Sequence, residues 1–192
     1  MSAHPYDEAA RDVVVSLIRS RRTIHLFNPD RPPDQIVERA LELARWAPNH
    51  RLTEPWRAYL LGHETAEAVA TLNAALVRAS RGAKAGAIKL ERWRRMPGWL
   101  VITCSRSEDA GHDLEDYAAC CCAVQNMMLY LWSEGIGMKW TTGGVTRDPQ
   151  FFELLNIDFR KERVVGLFWY GYPSAIPDTP RNSVSTFLFR RP

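Results

Sequence analysis

Two adjacent guanidiniums followed by a hydroxyl, Arg21-Arg22-Thr23, stand where a helical run of apolar residues ends. Arginine forks donate charge-assisted, often bidentate hydrogen bonds to phosphate oxygens, so this cluster can hold a phosphate-bearing ligand. The plainer alternative is a solvated basic helix end that complements the macrodipole. A second cluster, Trp46-Ala-Pro-Asn-His-Arg-Leu-Thr-Glu-Pro-Trp56, breaks a helix at Pro48 into a polar loop between two tryptophans. Such a loop can grip a planar heteroaromatic, although His50 also reads as a structural histidine and Trp56 as core. The third is Gly135-Ile-Gly-Met-Lys-Trp-Thr-Thr-Gly-Gly144. Its glycines let backbone N–H groups approach a ligand closely, and a simple turn is the competing reading. No strand-GxGxxG-helix unit surrounds it.

The elements that must position these clusters are legible from periodicity. Ala10, Val14, Leu17 and Ile18 predict a helix from about Asp7 to Ser20, which delivers Arg21 and Arg22 at its end. Ile36, Ala40, Leu43, Ala44 and Ala47 predict a second helix that starts near Pro33 and stops at Pro48. Arg57 to Gly62 reads as a strand and Glu64 to Ser80 as an alanine-rich helix. Trp99 to Cys104 reads as a central strand, and Leu114 to Glu134 as the longest helix, apolar nearly all round. Such a helix needs partners on several sides, and a second subunit can supply one. Met138 to Thr142 and Val164 to Tyr172 complete the expected strands, with a short helix over Pro149 to Asn156. The tail after Pro173 is predicted to run extended over a surface.

Composition sets bounds. The chain has 192 residues, 46% of them apolar and 24% charged, with a net charge of +3. One domain spanning 1–192, with an extended tail from about 174 to 192, is the expectation. The N-terminal stretch offers no secretory leader, and the most apolar run, Ala118 to Trp132, is shorter than the roughly 20 residues that span a bilayer. The reading is a cytoplasmic protein without a membrane segment. Cys120, Cys121 and Cys122 are consecutive, with no metal-ligand spacing, and read as reduced core residues.

In order, the helix-RRT start, AP-N-H-R-L-T-E-P-W, the Ala/Cys/Met-rich helix running into GIGMKWTTGG, and VVGLFWYGYP resemble the small bacterial nitroreductases. The resemblance spans roughly Val14 to Pro173. It implies an α+β homodimer whose central, mostly antiparallel sheet is surrounded by helices, with two FMN sites in the subunit interface. It also implies an NAD(P)H-dependent flavin oxidoreductase that passes electrons from NADH or NADPH to a small-molecule acceptor by a ping-pong mechanism, with nitroaromatics and quinones as test acceptors. In this resemblance Arg21, Arg22 and Thr23 hold the FMN phosphate and ring edge. Trp46 and His50 match positions that line the flavin, from its own or the partner subunit. Trp140, Thr141, Thr142 and Gly143 match the strand end beside the isoalloxazine. Ser133, Glu134 and Gly135 match the region that receives the nicotinamide, and Arg181 a basic phosphate contact. No side chain is expected to act as a dedicated acid, base or nucleophile, because the cofactor carries the redox chemistry.

The chain departs from the family at Leu52 and Glu54, where many relatives have Asn and Gln, and an inward Glu54 carboxylate would repel reduced flavin. Arg78 to Arg95 forms a basic tract in which Glu91 is the opposing charge. It reads either as a solvated helix face or as a basic lid for NADPH or an acidic substrate. Two rival functions remain at this stage. One is a same-fold flavoenzyme performing reductive dehalogenation or enone reduction. The other is a non-catalytic basic binding protein using that tract on nucleic acid, disfavoured because Trp93 is its only base-stacking aromatic.

Overall fold

The computed structural model describes residues 8–192. The expected first position of the N-terminal helix, Asp7, lies outside the described residues. Helix α1 covers Glu8–Ser20 and α2 Asp34–Ala44. Strand β1, Trp56–Leu60, leads into α3, His63–Arg81, and α4, Ala83–Arg94. Then come β2, Gly98–Ser105, the 24-residue α5, Ala110–Ser133, and β3, Gly137–Thr141. Helix α6, Pro149–Leu154, and β4, Glu162–Gly171, complete the body.

The four strands pair antiparallel in the order β1-β2-β4-β3. Strand β2 buries all residues from Gly98 to Cys104, which explains why its sequence is continuously apolar: both faces of the sheet are covered. Alternation sends Leu100 and Ile102 into a core with α2 and α5, built on Val37, Val124, Met127 and Phe168. Trp99 and Val101 point the other way, toward α3, α4 and α6. There Trp93, Trp99 and Trp169 meet edge to face, with centroids 5.0 to 5.8 Å apart.

The predicted α+β architecture is therefore observed, with three corrections. Helix α5 is not covered all round: Leu114, Ala118, Cys122 and Gln125, spaced on one face, are exposed, so Cys122 is no core residue in this chain. The basic tract is not one segment, because Gly82, at φ +87, splits it between α3 and α4. Nor is Glu91 its only counter-charge: Arg95 pairs with Glu91, while Glu67, outside the tract, takes Arg94. Helix α1 buries none of its residues, although Val13, Val14, Val15 and Ile18 are apolar. Beyond Gly171 the chain makes a bridge from Pro173 to Phe27 and a short helical turn at Val184–Thr186, with Phe187 and Phe189 exposed. No helix of the described residues is long and apolar enough to cross a membrane.

Candidate functional site

The segment after α1 runs along the free edge of β3. Thr23 bridges Met138 in parallel, Ile24 donates its amide to the carbonyl of Met138 at 3.0 Å, and Phe27 bridges Pro173. Ile24 is fully buried while Thr23 and His25 stay on the open side. Trp132 Nε1 donates to Ser20 Oγ at 2.9 Å, which ties the end of α1 to the end of α5. Arg21-Arg22-Thr23 and the strand leading to Thr141-Thr142-Gly143 are thus brought together.

At that junction the guanidiniums are short of partners. Arg22 Nη1 donates to the carbonyls of Arg19 and Arg21, at 2.6 and 3.0 Å, but Arg22 Nε and Arg21 Nη1 are buried without any hydrogen-bond acceptor. Burial, then the positive charges of Arg181 and Arg22, hold the pKa of Arg21 below the ordinary guanidinium value. Arg181 reaches this place from the tail, steadied by the carbonyls of Thr179 and Pro180 at 3.2 Å. Mutually repelling cations with orphaned donors are the pattern of an anion site.

Positive charge continues along the edge. His25 lies beside Lys139 and Arg92, and its pKa falls below the usual histidine value through burial first and those two cations second. Lys139 sits with its Nζ 5.1 Å above the Trp169 ring and is likewise lowered by burial, then by Arg92 and Lys89. His25, Lys89, Arg92 and Lys139 were not among the predicted site residues. The signal was the strand alternation that sends Lys139 to the face opposite Trp140.

The remaining predicted residues divide. Trp140 is partly buried against the core, where its Nε1 donates to the carbonyl of Val165 at 2.9 Å and its ring meets Phe168 with centroids 5.3 Å apart. Strand pairing ends at Thr141, and Thr142 and Gly143 continue without a strand neighbour. Neither Gly143 nor Gly144 has a positive φ, and a Cβ there would meet no close atom, so space rather than backbone strain marks this point. Thr142 borders a cavity of about 570 Å³ that also touches Tyr117, Arg147 and Arg163. Ser133 Oγ donates to the carbonyl of Tyr130 at 2.7 Å, and Gly135, at φ +74, turns the chain out of α5. Both lie at the Arg21 end of that helix, as does Glu134, whose carboxylate raises the pKa of the Tyr130 hydroxyl.

Trp46 and His50 are elsewhere. His50 Nδ1 is 3.3 Å from the Glu115 carboxylate, and the neighbouring Asn49 and Thr53 both donate to Asp116, Thr53 at 2.5 Å. Asn49 Oδ1 also accepts the Glu54 amide at 2.7 Å. These contacts pin a strained loop in which Arg51, Leu52 and Glu54 all have positive φ, with Trp46 76% and Leu52 82% exposed. Asp116 and Trp132 are sixteen residues apart on one helix, about 24 Å at 1.5 Å per residue. Within one chain the loop therefore stands at the far end of α5 from Arg21.

Comparison with known proteins identifies the family and the fold. The family model described as Nitroreductase family matches residues 18–172. The Bacillus subtilis protein named "Putative NAD(P)H nitroreductase YfhC" is 30% identical over 175 residues, 89% of this chain and 90% of that protein. A nitroreductase-like family protein from Bacillus cereus superposes with a TM-score of 0.82 at 28% identity, covering 99% of both chains. An oxidised iodotyrosine deiodinase bound to FMN and 3-iodo-L-tyrosine shares the fold, with a TM-score of 0.69 at 22% identity, over 92% of this chain and 97% of that one. With the family model matching residues 18–172, most of its length, the chain belongs to the nitroreductase family.

Proposed function

We propose that this protein is an FMN-dependent oxidoreductase that carries reducing equivalents from NADH or NADPH to a small acceptor in two alternating half-reactions. The observation that carries the reading is the pair of orphaned buried donors, Arg21 Nη1 and Arg22 Nε, close to Arg181 and beside the start of β3. A phosphate dianion satisfies these donors and relieves their repulsion, so the residues present fit the cofactor. FMN, when bound, supplies hydride acceptance and donation. Arg21, Arg22, Thr23 and Arg181 would hold its phosphate, while His25, Lys139 and Arg92 would face the electron-rich pyrimidine edge. The backbone of Thr141, Thr142 and Gly143 would run beside the ring, and the Ser133–Gly135 turn lies close enough to border the nicotinamide.

The assembly in this reading is a homodimer. A 13-residue helix that buries nothing has little stability of its own; α1 carries four exposed apolar residues, and α5 carries a bare stripe of its own. A two-fold partner covers such faces and brings its own Trp46 and His50 loop toward Arg21, which the same chain's loop cannot reach. The single domain, 1–192, would send its tail from about 174 across that partner. A cytoplasmic protein accords with these parts, and nucleic acid with none of them, since Glu67 and Glu91 already neutralise part of the basic tract.

The test is the visible spectrum of protein reconstituted with FMN and separated from free flavin, then titrated with NADPH without oxygen. The expected result is a bound flavin that bleaches and is reoxidised by a nitroaromatic or a quinone. Reoxidation only by a halogenated phenol or an enone would move the chemistry to dehalogenation or enone reduction on the same fold. Protein that retains no flavin would overturn the proposal.

A further inference from the structure

The cavity between α3, α4 and the end of β3, about 390 Å³, shares Arg92, Lys139, Thr141 and Gly143 with the proposed flavin edge and adds Arg81, Lys89 and Asn73, which the flavin assignment does not use. Arg81, Lys89, Arg92 and Lys139 line it, and no Asp or Glu does. Among the described residues none of these four pairs with a carboxylate, whereas Arg94 and Arg95 on the same helix or its end are matched with Glu67 and Glu91. From α3, Asn73 also lines the cavity. It is only 7% exposed, and its Nδ2 has no hydrogen-bond partner. Buried amide donors are almost always satisfied, so a lone one beside four cations indicates that an acceptor from outside the chain completes it. Trp93 and Trp169 form apolar walls, and Thr141 and Gly143 open the cavity toward the end of β3.

We infer that this cavity is a subsite for an oxyanion group, carboxylate or phosphate, on the small molecule that exchanges electrons with the flavin. This rests on the reading that the flavin itself lies along the Arg21–His25 edge, with its phosphate on Arg21, Arg22 and Arg181. Lys89, Arg81 and the Asn73 amide then hold the anionic group, while the reacting end extends past Thr141 toward the ring. The carboxylate of an acidic acceptor and the 2′-phosphate of NADPH share this chemistry.

Calorimetric titration of the oxidised, FMN-loaded protein separates the two sources, because without a reductant no turnover occurs. One pair of probes is 4-nitrobenzoate and 4-nitrobenzamide; the other is NADP⁺ and NAD⁺. The charged member of at least one pair is expected to bind about tenfold more tightly, the effect of one charge-assisted hydrogen bond. That preference should shrink to parity in Lys89→Met and in Asn73→Leu. Preference within the first pair assigns the subsite to an acidic acceptor, and within the second to the electron donor. Equal affinities in both pairs overturn the inference, as does an undiminished preference in Lys89→Met, a half-exposed position whose change leaves the core intact. If FMN loading abolishes probe binding that the flavin-free protein shows, the cavity belongs to the flavin and the inference fails. Protein that takes up no FMN removes the flavin reading instead, and the same titrations on the flavin-free protein then decide whether an oxyanion binds here.

Discussion

Ile24 donates its backbone N–H to the carbonyl of Met138 at 3.0 Å, and its side chain packs directly over Gly137. A Cβ added at Gly137 would stand 2.2 Å from Ile24 Cγ1, so the glycine lets the Arg21–His25 segment lie against β3. Gly137→Ala is expected to cost about 1–3 kcal/mol through overpacking. Each kcal/mol lowers the melting temperature by about 2–4 °C in a chain of this size. Thermal melts of the flavin-free protein check the first effect. Equilibrium dialysis checks the second, a weaker hold on FMN as Arg21 and Thr23 shift away from the strand.

Replacing Arg21 and Arg22 together by alanine separates binding from folding. Each charge-assisted bond is worth about 1.5–3 kcal/mol, so FMN affinity should fall by about 100-fold or more. The melting temperature of the flavin-free double variant should not fall, because two buried, mutually repelling cations have been removed. A large loss of stability with unchanged flavin affinity would show that the pair is structural.

His25 makes the site sensitive to pH. Burial, Lys139 and Arg92 keep its pKa below the ordinary value in the free protein. As pH drops through about 6.5, the unfolded chain takes up a proton that the native imidazole resists, so this group lowers native stability on the acid side and adds nothing above it. A bound flavin edge accepting from His25 favours the imidazolium and reverses that sense. Between about pH 7.5 and about pH 5.5, FMN binding should therefore take up more protons in the wild type than in His25→Gln, over a background set by the cofactor phosphate, whose second ionisation lies at about 6. Titrations in buffers of different ionisation enthalpy measure the difference between the two proteins.

Asp116 holds the loop that carries Trp46 and His50. Its buried carboxylate accepts from Thr53 and Asn49, and Asn49 in turn accepts the Glu54 amide. Asp116→Ala should cost about 1–3 kcal/mol by leaving these donors unmet. Limited proteolysis should cut preferentially between residues 49 and 54, where the positive φ angles lose their restraint.

Helical and strand periodicity foretold most elements because each buries a regular face: Val124 and Met127 in α5, Leu100 and Ile102 in β2. Helix α4 escaped notice because its charges mask a weak apolar pattern and Gly82 blends with the helix before it. At the site, Arg21 and Arg22 were legible as a pair, and Arg181 came only from family resemblance. Lys89 and Arg92 were legible only as members of a basic tract that could form a lid, and His25 not at all, since nothing in the spacing says that α4 folds back over β3. Which face of the β3 end Trp140 occupies was not legible, because periodicity alone does not say which face of a strand is buried. The distance between Trp46 and Arg21 is likewise a property of the folded length of α5, invisible in linear order.

The central claim is that two copies of this chain enclose FMN, with the paired guanidiniums on its phosphate. Sedimentation velocity of the FMN-reconstituted protein, followed by flavin absorbance in the visible, tests it most directly. The account predicts one flavin-bearing boundary at twice the 21.9 kDa chain mass, and loss of both the boundary and its colour when Leu114→Arg and Ile18→Arg are introduced together. A colourless boundary at the mass of a single chain, in the presence of excess FMN, would contradict it.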